Sequence, residues 1–75
     1  MTPGEYVRAC RQAAKKSRPQ VAVEARLHIG LLNDYEADRL DIPLEWRLTL
    51  CAAVKADPVV LAGLCAERSS VSSHR

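Results

Sequence analysis

The sequence predicts an all-α domain of five short helices. Three observations predict it. Serine or threonine is followed three positions later by Glu or Gln at two places, prolines stand where helices would begin, and apolar residues are spaced three or four apart. Hydrophobic residues make up 48% of the 75 positions, but Phe is absent and Leu, Val, Ala and Cys dominate. That mixture favours helix over sheet, and a chain of this length allows one small core.

Two capping patterns open the first two helices. The sequence TPGE at residues 2–5 has the spacing of a capping box with proline at the first helical position, which predicts a helix to about Ala14. The sequence SRPQ at residues 17–20 repeats the pattern and predicts a second helix through Ala25. A turn at Arg26 and Leu27 should follow.

Apolar spacing predicts the third helix, from about His28 to Ala37. Positions i, i+4 and i+7 place His28, Leu32 and Tyr35 on one face. The opposite face then carries small and polar residues: Gly30, Asn33, Asp34 and Ala37.

The remaining helices are predicted from proline positions. Pro43 can open a fourth helix over residues 43–56, and Asp57-Pro58 supplies the N-cap and first position of a fifth over residues 59–66. The ending ERSSVSSHR is polar and serine-rich, with too few apolar residues to repay its ordering entropy. We therefore predict a domain at residues 1–66 and a flexible tail at 67–75.

Several classes of function lack support in the sequence. Cys10, Cys51 and Cys65 form no CxxC pair, so no disulfide framework, zinc site or other metal site is indicated. No catalytic constellation or phosphate-binding glycine loop is present, so we expect neither an enzyme nor a cofactor or small-molecule substrate. Apolar runs are too short to span a bilayer and the N-terminus lacks a signal-peptide pattern, so we expect a cytoplasmic protein without membrane contact.

Charge is unevenly distributed along the chain. The formal net charge is +2. Residues 1–25 hold five basic and two acidic groups, whereas residues 26–46 hold two basic and five acidic groups. A nucleic-acid-binding face usually carries a basic stripe, and here the segment containing the third helix is acidic.

The order of these pieces resembles the Cro/C1-type helix-turn-helix regulators, the phage repressors and their bacterial relatives. The stretches VRACRQAAKKS, SRPQVAVEARLHIGLLNDYE and CAAVKADPVVLAGL carry the resemblance, which covers residues 7–64. It implies a central helix-turn-helix made by the second and third helices. It also implies a structural salt bridge from Arg11 to Glu36. Arg26 stands where the family often has glycine, although arginine tolerates positive φ poorly.

The positions that read DNA in this family are altered. The matching residues are Arg18, Ile29, Gly30, Asn33 and Asp34. Only Arg18 and Asn33 are good hydrogen-bonding groups for base edges. In the following loop, ADRLDIPL, Arg39 is the only base, and Asp38 and Asp41 would face the DNA backbone with like charge. We expect DNA affinity to be poor.

Apolar residues stand near this surface instead. The core face of the fourth helix is predicted to comprise Trp46, Leu50 and Val54. Another set could form an exposed patch of the kind that marks protein-binding sites, namely Leu40, Ile42, Leu44 and Leu48. The sequence equally allows the core to wrap the fourth helix on two sides. The basic cluster at residues 15–18 is open to two interpretations, a solvated turn or a contact for phosphate or an acidic partner.

Two functions follow, and we favour the first. It is a small transcription regulator acting mainly by protein contact, and its size and make-up look similar to phage-encoded proteins that block or redirect bacterial RNA polymerase. Its predicted partner-binding residues are Lys15, Lys16, Arg18, Ile29, Asn33, Asp34, Arg39, Leu40 and Ile42. The alternative, implied by the resemblance, is a homodimeric repressor of duplex DNA. It would place Arg18 and Asn33 on bases, and Lys15, Lys16 and Arg39 on phosphates.

Overall fold

The structure of the protein, a computed structural model, describes the backbone of residues 1–73 and the side chains of residues 1–67. It contains five helices: α1 (Pro3–Ala13), α2 (Arg18–Ala25), α3 (Ile29–Glu36), α4 (Leu44–Val54) and α5 (Pro58–Ser73). Residues 1–73 include no strand. The predicted all-α class with five helices is therefore confirmed.

The helix starts agree with the capping patterns, although the second is only half formed. At α1 the Thr2 hydroxyl accepts the Glu5 amide at 3.1 Å, and the Glu5 carboxylate accepts the Thr2 amide at 2.8 Å. At α2 the Ser17 hydroxyl accepts the Gln20 amide at 3.2 Å. The Gln20 side chain does not return to the cap, because it donates to Glu24 Oε2 at 3.4 Å.

The ends of α4 and the start of α5 lie close to the positions predicted from proline and aspartate. Pro43 is the N-cap of α4, and Lys55 ends this helix with φ of 57°, short of the end predicted from sequence. Asp57 Oδ1 then accepts the Val59 amide at 2.9 Å, which confirms Asp57 as the start of α5.

The C-terminal end of α5 differs from the prediction. The helix was expected to stop near Ala66, and it continues to Ser73. Helix propensity accounts for the extension, because alanine, glutamate and arginine at the expected stop all favour helix without needing apolar burial. Mobility of the segment 67–75 stays a prediction, and its last two residues lie outside those described.

The core lies where α1 packs against α3, α4 and α5, and where α2 packs against α3 and α4. Its largest fully buried side chains are Leu32, Leu50, Leu61, Val7, Val21 and Val54. Trp46 packs half-buried against them, so the predicted core face of α4 is confirmed. Full burial of each such side chain contributes about 1.5–3 kcal/mol, which makes these few residues the main source of stability.

Glycine is required where α1 approaches the end of α3. A Cβ atom at Gly4 would lie 2.7 Å from the Glu36 carbonyl oxygen and 2.8 Å from Asp38 Oδ1, and closer still to the Tyr35 carbonyl. Backbone atoms cannot move aside as a flexible side chain can. The contact therefore fixes the position of α1, and with it the arginines on that helix, against α3.

Candidate interaction surface

The turn between α2 and α3 is fixed at both ends. Arg26 ends α2 in the left-handed conformation, with φ of 56° and ψ of 44°, so an arginine does adopt the backbone shape that glycine tolerates best. Leu27 is buried, and His28 is the N-cap of α3, where its Nδ1 accepts the Gly30 amide at 3.0 Å. The two helices and this short turn form a helix-turn-helix unit.

A buried ion-pair network connects that unit to α1. Arg11 Nε donates to Glu36 Oε2 at 2.7 Å, and Arg11 Nη2 donates to Glu36 Oε1 at 3.2 Å. The Glu36 side chain is only 2% exposed, which makes its two-point pairing with arginine structurally important. The salt bridge implied by the family resemblance is present in the structure.

Arg18, a predicted DNA reader, joins the same network. Its Nε donates to Glu36 Oε1 at 3.1 Å, while 44% of the Arg18 side chain stays exposed. Arg18 therefore lies at the surface but is anchored by an acid. To read a base edge, its guanidinium would have to share or leave this carboxylate.

A polar pocket of about 290 Å³ opens above the network. It is lined by Arg8, Arg18, Asn33, Glu36, Ala37 and Arg39. The lining contains three arginines against one carboxylate, so its charge is positive. Arg39 Nη1 lies 3.4 Å from Asp34 Oδ1, a long and exposed ion pair. The pocket thus brings together three predicted partner-binding residues, Arg18, Asn33 and Arg39, with Asp34 paired to Arg39.

Asn33 carries the one buried side-chain oxygen or nitrogen atom without a hydrogen-bond partner among the described residues. Its Oδ1 is buried and has no hydrogen-bond donor there. An unpaired buried polar atom costs roughly 1–3 kcal/mol, so its presence in a pocket wall needs an explanation. Ile29, at the start of the same helix, is 39% exposed and offers an apolar contact only.

Asp38 has a different role from the one expected. The sequence suggested that it would face a DNA backbone, whereas its Oδ1 accepts the Gly4 amide at 3.0 Å and its Oδ2 accepts the Thr2 hydroxyl. A carboxylate at a helix N-terminus is favoured by the helix dipole. Asp38 therefore stabilises the start of α1 and its contact with the end of α3.

The basic cluster at residues 15–18 is dispersed by the fold. Lys16 Nζ donates to Glu24 Oε1 at 2.6 Å and to the Ala53 carbonyl at 2.8 Å. The hydrogen bond from Lys16 lowers the pKa of Glu24. Lys16 consequently ties α2 to α4, and its role as a partner-binding residue stays a prediction. Lys15 lines a separate groove near Val54, away from the pocket that Arg18 lines.

Three of the four residues predicted for the apolar patch are exposed. Leu44 and Leu48 are 76% and 68% exposed on successive turns of α4, and Leu40 is 44% exposed in the loop before it. Ile42 is only 2% exposed and belongs to the core, so its prediction as a partner-binding residue is wrong. Arg47 Nε donates to the Ile42 carbonyl at 3.2 Å, which holds that segment against α4. We call Leu40, Leu44 and Leu48 the exposed leucines.

Sequence analysis did not identify Arg8 as a member of the pocket. Arg8 is three residues before Arg11, so both lie on one side of α1. Once Arg11 is paired with the end of α3, that spacing places Arg8 near the same helix. The pairing and the helical period together could have identified it.

No group of three or more metal-ligating side chains occurs in the described part of the chain, and Cys10, Cys51 and Cys65 form no disulfide there. Burial, followed by the neighbouring Cys10, raises the pKa of the Cys51 thiol. Within the same residues no helix is long and apolar enough to cross a membrane.

Helix order, turn geometry and the α1–α3 ion pair define a small helix-turn-helix domain. The chain is similar in structure to the clp gene regulator ClgR from C. glutamicum, with a TM-score of 0.75 and 21% sequence identity. The match covers 88% of this chain and 86% of that chain. At this identity the likeness supports the fold. No protein-family profile matches the sequence, and neither does any curated protein.

Proposed function

We propose that this protein is a small transcription regulator that acts mainly through protein contact, with bacterial RNA polymerase as the favoured partner. Its structural likeness to a gene regulator supports a role in transcription. A fold alone does not establish function, so the residues on the surface must decide how the domain acts.

The exposed leucines carry the proposal. Leu44 and Leu48 lie one helical turn apart and leave most of their surface in water, and Leu40 adds a third apolar side chain nearby in sequence. Single exposed apolar residues are ordinary, but large ones on successive turns of one helix are typical of protein-binding surfaces. A partner that covers them gains the free energy of their burial.

The DNA-reading face supports the same conclusion. Arg18 is held by Glu36, and Ile29 has no polar group to offer a base edge. Phosphate contacts supply most sequence-independent DNA affinity, and each requires a cation that is available to the backbone. Lys16, which the DNA hypothesis places on a phosphate, is bound to Glu24 and Ala53 instead.

The operator-binding repressor stays a second candidate because of the arginine-lined pocket. Arg8, Arg18 and Arg39 place three guanidinium groups around one opening, and phosphates are good ligands for arginine. In this alternative, the exposed leucines would form the interface between two copies of the chain.

The first experiment measures binding to purified bacterial RNA polymerase. We expect the double variant Leu44→Gln/Leu48→Gln to bind at least about tenfold more weakly than the unchanged protein, because apolar contact is lost at an interface centre. Its melting temperature should be nearly unchanged, since both side chains are exposed. Biolayer interferometry with the core enzyme and the holoenzyme gives both affinities.

Val59→Gln is the matched control, because Val59 is 78% exposed on a different helix. It should leave polymerase binding unchanged. Equal affinity of the leucine double variant and the unchanged protein would show that the exposed leucines are not the binding surface. Failure of both polymerase forms to bind would reject polymerase as the partner. Sedimentation of the free protein as a stable dimer, abolished by the double variant, would favour the repressor.

A further inference from the structure

We infer that the arginine-lined pocket binds the carboxylate of one acidic residue in the protein partner. The inference rests on the proposed function and names the chemistry of the contact. The pocket holds one acidic side chain of the partner together with its peptide group. The exposed leucines contact the apolar residues next to that acidic residue.

The charges around the pocket favour an anion. Glu36 is already held by Arg11 through two hydrogen bonds, so its charge is largely compensated inside the domain. Arg8 and Arg39 lie at the rim and are exposed. Arg8 makes no ion pair among the described side chains, and the pair of Arg39 with Asp34 is long. Two guanidinium groups can therefore turn toward a ligand without breaking a buried contact.

The neighbouring groups favour a carboxylate over a nucleic-acid phosphate. A duplex presents a row of phosphates, and those beside the pocket would meet Asp34 on α3. A single acidic side chain brings one negative charge and no row of neighbours.

Asn33 gives a second reason to expect an acidic peptide residue and not a phosphodiester in the pocket. Its Oδ1 is an acceptor without a donor, in a residue that lines this pocket. A phosphodiester has acceptors only, whereas an acidic residue in a peptide carries an amide N–H beside its carboxylate. Oδ1 is buried in the free protein, so that amide satisfies it once the Asn33 side chain turns toward the pocket, while the carboxylate pairs with the arginines.

The pocket is continuous in sequence with the apolar surface. Arg39 lines the pocket, and the next residue, Leu40, is 44% exposed. The matching partner segment is therefore an acidic residue flanked by apolar residues.

The test is a two-dimensional NMR titration of the isotopically labelled full chain. The probe is a capped tripeptide with glutamate between two leucines, and the matched probe has glutamine in place of glutamate. Inorganic phosphate and a mixed-sequence DNA duplex are the other arms. We expect the glutamate peptide to shift the Asn33 side-chain amide and the arginine Nε–H signals, and the glutamine peptide to bind at least about tenfold more weakly.

Two variants and one control localise the effect. Arg8→Gln and Arg39→Gln should each weaken the glutamate peptide by about tenfold, because a charge-assisted contact is lost. Lys55→Gln removes an exposed charge outside the pocket and should leave the affinity for the glutamate peptide unchanged. Equal binding of the two peptides, or no shift of pocket signals at saturating peptide, would overturn the inference. Tighter binding of phosphate or duplex to the same signals would overturn it in favour of nucleic acid.

The double variant Arg8→Gln/Arg39→Gln separates this inference from the proposed function. Unchanged polymerase affinity of that variant would overturn the inference and leave the proposed function standing. Binding of the glutamate peptide by a protein that fails to bind polymerase would support the pocket chemistry and reject that partner.

Discussion

At the scale of single residues, Glu36 connects three helices. It ends α3 and accepts hydrogen bonds from Arg11 of α1 and Arg18 of α2, while its own side chain is almost fully buried. Burying a charge costs free energy unless that charge is paired and hydrogen-bonded. The pocket lies above Glu36, so its position depends on the ion pairs of Glu36 with Arg11 and Arg18, which also stabilise the fold.

A double-mutant cycle tests that contact. Glu36→Ala should destabilise the domain by about 3–5 kcal/mol, because it leaves the buried Arg11 without its opposite charge, and Arg11→Ala should cost less, because Glu36 keeps the hydrogen bond from Arg18. The double variant should recover part of the loss, with a coupling of about 1–3 kcal/mol in urea unfolding. The exposed pair Asp34 and Arg39 is the control, with an expected coupling of about 0.5 kcal/mol or less. Additive losses at Arg11 and Glu36 would contradict the assignment.

Gly4 should tolerate no side chain. Gly4→Ala would press a Cβ against the carbonyl oxygens at the end of α3, and we expect a loss of about 3 kcal/mol or more in the free energy of unfolding. Gly63→Ala is the matched control, since a Cβ there meets nothing within 4 Å and alanine favours helix, so a gain of about 0.5–1 kcal/mol is expected. Thermal or urea unfolding of both variants gives the comparison. Equal stability of the two would refute the close approach.

At the scale of elements, helix starts were predictable because they depend on local chemistry. Thr2, Ser17 and Asp57 each accept an amide from the first turn that follows them, as their positions in sequence indicate. The end of α5 was not predictable from burial, because a helix can extend on propensity beyond its last buried residue.

The surface was harder to predict because it depends on tertiary packing. Ile42 and Leu44 are two residues apart in a segment where neither helical nor strand period applies, yet the first is buried and the second exposed. The charge of Lys16 suggested a partner and that of Asp38 suggested repulsion of DNA, but both side chains form hydrogen bonds inside the fold. The Arg11–Glu36 pair was expected only from the family resemblance, since nothing local connects residues so distant in sequence.

The turn between α2 and α3 provides an element-scale prediction. Arg26 has φ of 56°, and a non-glycine residue in this region costs roughly 1–2 kcal/mol. Arg26→Gly should therefore raise the free energy of unfolding by about 1 kcal/mol, after the larger unfolded-state entropy of glycine is subtracted. Arg26→Ala removes the same side chain and keeps the strain, so it should bring no gain. If Arg26→Gly is no more stable than Arg26→Ala, the left-handed backbone conformation at residue 26 does not destabilise the fold as argued.

At the scale of the whole molecule, the fold divides its charges between structure and surface. Lys16, Arg11 and Asp38 hold helices together, while Arg8 and Arg39 remain at the rim of one pocket. The exposed leucines lie beside this region in sequence. A helix-turn-helix domain with this surface has few cations for a DNA backbone and an apolar area for a protein.

The most direct test of that conclusion is a DNA-binding titration. Duplexes selected from a random library are titrated with labelled protein at salt concentrations from about 50 to 200 mM, and fluorescence anisotropy gives Kd for each. We expect every duplex, selected or scrambled, to bind with Kd of about 1 μM or weaker, as in non-specific binding. Sub-micromolar binding of one selected sequence, with a steep salt dependence and loss on Arg18→Ala, would contradict the account and establish the repressor.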